Sequence, residues 1–138
     1  MPASHVLTIL AVADLARSAS FYDQIFGWTK SVEEPVYVEY ELPRGMRLGL
    51  YARASFAVNT GTAPMVCSGQ GTTASELYFH VEDLAEAERR AADAGARRLS
   101  HAALRPWGDI ASYLADPDGN VIVLARPAAG TTQHDEAT

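Results

Sequence analysis

The chain has 138 residues, 48% of them hydrophobic and 20% charged, with a formal net charge of −6. That is the composition of an ordinary globular chain, long enough to bury a core without covalent staples. The acidic balance excludes a nucleic-acid surface, no apolar run approaches membrane length, and a single cysteine, Cys67, excludes an internal disulfide. The lone thiol, and an N-terminus with no basic region before an apolar run, point to a cytoplasmic protein with no nucleic-acid or membrane partner.

In chain order, His5 to Val12 alternates as a first strand, with Val6, Thr8, Leu10 and Val12 on one face and His5, Leu7, Ile9 and Ala11 on the other. Asp14 can cap a helix running to Phe26, with Leu15, Ala19, Tyr22, Ile25 and Phe26 at helical spacing and Gly27 as its stop. A short strand over Trp28 to Val32 follows, then alternation over Val36 to Leu42, a turn at Pro43-Arg44-Gly45, and a strand over Met46 to Tyr51. This first β-α-β-β-β module spans residues 1–52. Residues 53–73 are rich in Gly, Ser, Thr and Ala and read as a linker, flexible or a flap over a site.

The second module, residues 74–127, repeats the first. Val12, Asp14, Leu15 and Ala16 return 69 positions later as Val81, Asp83, Leu84 and Ala85, while Gly27 and Gly95 differ by 68. Glu76 to Val81 alternates as its opening strand, and a helix follows from about Asp83 to Ala94. Arg97 to His101 reads as a weak strand, Ala102 to Asp109 as a loop carrying Trp107-Gly108, and Ile110 to Ala115 as a strand. Asp116-Pro117-Asp118-Gly119 is a hairpin turn into a last strand from Asn120 to Ala125. Residues 128–138 read as a disordered tail.

One helix per module covers one face of its four strands. The other faces carry His5, Tyr37, Glu39, Arg47, Tyr51, Glu76, Tyr78, His80 and Tyr113, mixed with Leu7, Ile9, Gly49, Val121 and Val123. These faces look at each other or at solvent. They are too polar for a dry core and suit a small-molecule pocket.

The duplicated β-α-β-β-β unit, the run from Val12 to Tyr22 (Val-x-Asp-Leu-x-x-Ser-x-x-Phe-Tyr), a Trp-Gly before a strand and the Asp-Pro-Asp-Gly turn resemble the vicinal-oxygen-chelate superfamily. That group includes glyoxalase I, extradiol dioxygenases, metal-dependent fosfomycin-resistance enzymes and bleomycin-resistance proteins. The resemblance covers about residues 5 to 127 and implies an α+β fold, two tandem βαβββ modules whose curved sheets form a cup. It also implies a homodimer. Metal-bearing members place one ligand in the first and last strand of each module, positions that fall here on Leu7, Gly49, Glu76 and Val123. Three of those four carry no metal-binding side chain, whereas a catalytic divalent ion needs about three protein ligands. The resemblance therefore favours the metal-free, drug-sequestering branch, with no cofactor.

Glu76 is the sharpest candidate, either pairing with a ligand amine, acting as a general base, or forming an ion pair with Arg47. His5 and His80 read as rim histidines; with Glu76 they make an alternative, non-standard divalent-metal set. Trp107 reads as a stacking lid or an apolar plug, and Tyr51, Tyr78 and Tyr113 as inward ring faces. Trp28 reads as core, and Cys67 lacks sequence neighbours that would make it a nucleophile. The function expected is sequestration of a small planar, cationic, antibiotic- or natural-product-like molecule. The alternatives are a lyase, isomerase or dioxygenase-like enzyme using the unusual metal set or Glu76 as base, and a domain that works only through protein contacts.

Overall fold

The computed structural model describes residues 2–67 and 69–129. Its elements are β1 (Leu7–Val12), α1 (Leu15–Phe26), β2 (Thr29–Glu34), β3 (Tyr37–Glu41), a short 3-10 turn (Pro43–Gly45), β4 (Arg47–Ala52) and α2 (Arg53–Thr60). The second half contributes β5 (Glu76–His80), α3 (Leu84–Asp93), β6 (Arg97–Leu104), β7 (Asp109–Ala115) and β8 (Val121–Pro127). They make two four-stranded sheets, ordered β1-β4-β3-β2 and β5-β8-β7-β6, each with one parallel pair at the edge. The fold is α+β, two tandem βαβββ modules.

Register makes the duplication explicit. Leu7 pairs with Arg47 and Ile9 with Gly49; at the equivalent places Glu76 pairs with Val121 and Tyr78 with Val123. Each helix starts where its aspartate stands. Asp14 accepts from the Arg17 amide at 3.1 Å and Asp83 from the Glu86 amide at 3.1 Å, caps worth about 1 kcal/mol each. Gly27 closes α1 in the left-handed region (φ 65°), and its N–H reaches the Asp23 carbonyl.

The apolar faces of both sheets and both helices share one core, including Val12, Phe21, Tyr22, Tyr40, Leu50, Ala91, Ile122 and Leu124. The modules meet there, α1 against α3, and not along β1 and β5, which remain edge strands. The Asp116 turn locks the junction. The buried Asp116 carboxylate accepts from the Tyr22 hydroxyl (2.6 Å), the Asn120 amide (2.8 Å), the Asp118 amide (2.9 Å) and Asn120 Nδ2 (3.0 Å). Asp118 then takes the Ala13 amide (2.9 Å) and the Ser18 hydroxyl (3.1 Å). A hairpin turn by sequence is thus also the clamp between modules.

Two expectations change. Residues 53–73 contain the two-turn α2, which ends at Gly61 and rests on β1 and β4. Strand β6 runs on to Leu104 because its ladder with β7 continues through two irregularities. In the span read as a tail, residues 130–138 lie outside the described residues. No helix among those described is long and apolar enough to cross a membrane.

Candidate functional site

Where the open end of the first sheet meets the edge strand β5, a cavity of about 470 Å³ forms. Its apolar lining is Phe26, Trp28, Leu42, Met46, Leu48, Leu77 and Phe79, and its polar lining is His5, Thr8, Arg44, Arg47, Glu76, Tyr78 and His80. The aromatic rings form one contiguous wall. Phe26 and Trp28 stack with centroids 4.1 Å apart and planes 1° apart, and Phe79 lies 4.7 Å from the first ring and 5.4 Å from the second. A chamber of this size, mostly apolar with a few polar groups, suits a drug-sized ligand.

Five of the predicted site residues, His5, Arg47, Glu76, Tyr78 and His80, line this cavity; Tyr51, Tyr113 and Trp107 do not. Tyr51 is covered by the linker helix, its ring edge-on to Phe56 at 6.4 Å and its hydroxyl accepting from Asn59 Nδ2 at 3.3 Å. Tyr113 lies beneath the Arg105 guanidinium, 4.9 Å from the ring centroid. Trp107 is 56% exposed, with its indole N–H donated to the Tyr78 hydroxyl at 2.7 Å.

Glu76 differs from its expected setting. It is exposed on the edge strand β5, and its side chain makes no hydrogen bond or ion pair among the described residues. Arg47 pairs with Glu39 instead, at 2.9 Å. Glu39 is the buried carboxylate of this face, and it also takes the Tyr37 hydroxyl at 2.6 Å. Burial first, and then that bond, pushes the Tyr37 phenol well above its ordinary value.

The second module holds a polar network whose centre, Asp109, sequence reasoning missed. Asp109 Oδ2 accepts the Tyr78 hydroxyl at 2.6 Å and lies 3.0 Å from His80 Nε2. The sheet makes this reach possible with small residues: His80 pairs with Ala125, Ala125 pairs with Ala111, and Asp109 is the next residue of β7 on that face. Burial, and then the bond to Asp109, pushes the Tyr78 phenol up to about 12. The strand parity that turned Tyr113 inward also turns Asp109 inward; that was the signal available. Phe26, Trp28 and Arg44 were read as helix, core and turn, and only their position at the open end of the sheet makes them lining.

The four positions at which metal-bearing relatives carry ligands do not fit a divalent ion. A Cβ at Gly49 would collide with the Tyr37 ring, which lies over that position, and Leu7 and Val123 have no donor. In the alternative set, His5 Nε2 is engaged with Thr8 Oγ1 at 3.1 Å and His80 Nε2 with Asp109. Among the described residues no three His, Cys, Asp or Glu side chains are grouped to hold a metal.

The model of the glyoxalase-like domain matches residues 7–125. Among solved structures, a glyoxalase-related enzyme from Fulvimarina pelagi is similar at 26% identity, with 88% of this chain and 86% of that one covered and a TM-score of 0.75. A glyoxalase/bleomycin resistance protein/dioxygenase from Nocardioides shares 23% identity over 96% and 88% of the two chains, TM-score 0.74. Protein ATC0852 from Agrobacterium tumefaciens shares 27% over 92% and 100%, TM-score 0.71. A comparison with curated proteins gave no match. Fold, duplication and sequence match agree, and the chain belongs to the glyoxalase-like domain family of the vicinal-oxygen-chelate superfamily.

Proposed function

We propose that this chain binds and sequesters a small planar molecule, antibiotic- or natural-product-like, without a metal cofactor. The observation that carries the reading is the cavity walled by Phe26, Trp28 and Phe79, ring surfaces on which a flat ligand stacks. Glu76, whose side chain has no partner among the described residues, gives that ligand a carboxylate for a cationic group. Tyr51 and Tyr113, on the polar sheet faces, and Trp107, on the turn between β6 and β7, lie outside this cavity, and they belong to the proposed site only in an assembly that covers those faces.

The assembly that does so is a homodimer. The bonds of the polar faces stay within each module, Glu39 with Arg47 and Tyr37 on one and Asp109 with Tyr78 and His80 on the other. The helices occupy the junction between modules, so a face of one chain completes its cup against a second copy, and the open edges of β1 and β5 are where the copies join. The single thiol suits a cytoplasmic setting, which is part of this proposal. The test is a fluorescence titration of metal-stripped protein with a panel of planar aromatic cations, anions and neutral compounds. Saturable quenching of Trp28, strongest for cations, supports the reading. Quenching that appears only after a divalent ion is restored refutes it.

A further inference from the structure

The hydrogen bonds around Asp109 fix more than position. A carboxylate accepts only, so the 3.0 Å contact places the proton of a neutral His80 ring on Nε2. The Tyr78 hydroxyl, itself holding the Trp107 N–H, donates into the same oxygen and keeps the carboxylate in place. Nδ1 of His80 is then the unprotonated nitrogen, and it has no hydrogen-bond partner among the described residues. The Asp109 side chain is 13% exposed and that of His80 45%, so the anchor is shielded while the ring is open. His80 lines the aromatic cavity. The same cavity is lined by Arg44, a guanidinium whose side chain has no hydrogen bond or ion pair among the described residues. It sits on the 3-10 turn in the left-handed region (φ 68°), the one non-glycine residue described with positive φ.

We propose that His80 is a proton acceptor of fixed tautomer for a planar aromatic substrate with an acidic hydrogen, Asp109 being its positioning residue and Arg44 the cation that meets the charge left on the substrate. This gives the cavity a metal-independent proton-abstraction activity with His80, not Glu76, as the base. It rests on the cavity being a ligand site, but not on the ligand being a cation.

The probe is 5-nitrobenzisoxazole, a flat carbon acid. His80 Nδ1 takes the C3 proton, the C–H electron pair becomes the third bond of the nitrile as the N–O bond breaks, and the negative charge leaves on the phenolate oxygen. The imidazolium then returns its proton to water. Two readouts are made on the full chain treated with chelator. Long-range ¹H–¹⁵N spectra, with His80 identified through His80→Gln, should show the Nε2–H tautomer in the parent and a mixed tautomer in Asp109→Asn. Ring opening should fall about 100-fold in His80→Gln and about tenfold in Asp109→Asn, within the range of general-base effects. Should Asp109→Asn fail to fold, the parent tautomer and the exposed His80→Gln variant still decide. An Nδ1–H tautomer in the parent overturns the inference. So does a rate unaffected by His80→Gln while the probe saturates the cavity, an outcome that leaves the binding function standing.

Discussion

Removing one hydroxyl from the clamp between modules tests how the two halves are held. In Tyr22→Phe the ring remains in the core and no donor is stranded, but Asp116 keeps three donors of its four. The bond lost is a short one to a buried carboxylate, 2.6 Å with Asp116 5% exposed. A hydrogen bond to a charged group contributes about 1.5–3 kcal/mol, so that is the expected loss at neutral pH. For a chain of 138 residues it corresponds to roughly 5–12 °C in Tm. The loss should depend on pH. Burial raises the Asp116 carboxyl above its ordinary 3.8, against the pull of Tyr22, Asn120 and Asp118. A raised native value means that the folded state binds the proton more readily. This group's contribution therefore declines as pH rises from 3.8 through the raised value, then levels off. Tyr22→Phe raises that value further and steepens the decline, so its cost should be largest at neutral pH. Below about pH 3.8 it should shrink to about 0.5–1.5 kcal/mol, that of a neutral bond. Urea unfolding of both proteins at pH 7 and in acid measures this. A cost under about 0.5 kcal/mol at pH 7, or one that does not change with pH, refutes the clamp.

Gly49→Ala should destabilise by about 1–3 kcal/mol, since the added methyl must displace the Tyr37 ring and its bond to Glu39; chemical denaturation measures the cost, and an unchanged midpoint contradicts the close approach. Glu86 is held down to about 2 by its hydrogen bonds with Arg89 and then Arg90. Its native value is below the unfolded 4.5, so its contribution to α3 is complete above 4.5 and lost as pH falls toward 2; an NMR carboxyl titration near 4.5 would contradict those bonds. Asp14→Ala and Asp83→Ala should each lower stability by about 1 kcal/mol, and Asn at either position should restore it, read by thermal melts.

The parts of the fold that the sequence disclosed are those written in short-range pattern. Val12-x-Asp14 and Val81-x-Asp83 each mark a strand ending and a capped helix beginning, and both aspartates cap as read. Helix α2 was not legible because its N-cap, Ala52, makes no side-chain bond and none of its residues is buried. The clamp from Tyr22 to Asp116 spans 94 residues, and nothing local to either residue announces it. The site was legible by face but not by partner. Parity put Glu76, Tyr78, His80 and Arg47 on polar faces, yet the ion pair with Arg47 offered as one alternative for Glu76 is not formed, because Arg47 pairs with Glu39 on the adjacent strand of its own sheet. Trp28, read as core, is both partly buried against the core and part of the cavity wall.

Metal-independent ligand capture in the aromatic cavity is the central claim, and one titration addresses it most directly. Metal-stripped protein is titrated with a planar aromatic cation such as ethidium, following Trp28 quenching, beside Glu76→Gln and a sample reloaded with divalent ions. The account predicts saturable binding of equal affinity with and without metal. It also predicts a loss in Glu76→Gln of about 1 kcal/mol, roughly fivefold, between an exposed ion pair and a desolvated one. Binding that vanishes on chelation and returns with a stoichiometric ion would contradict it.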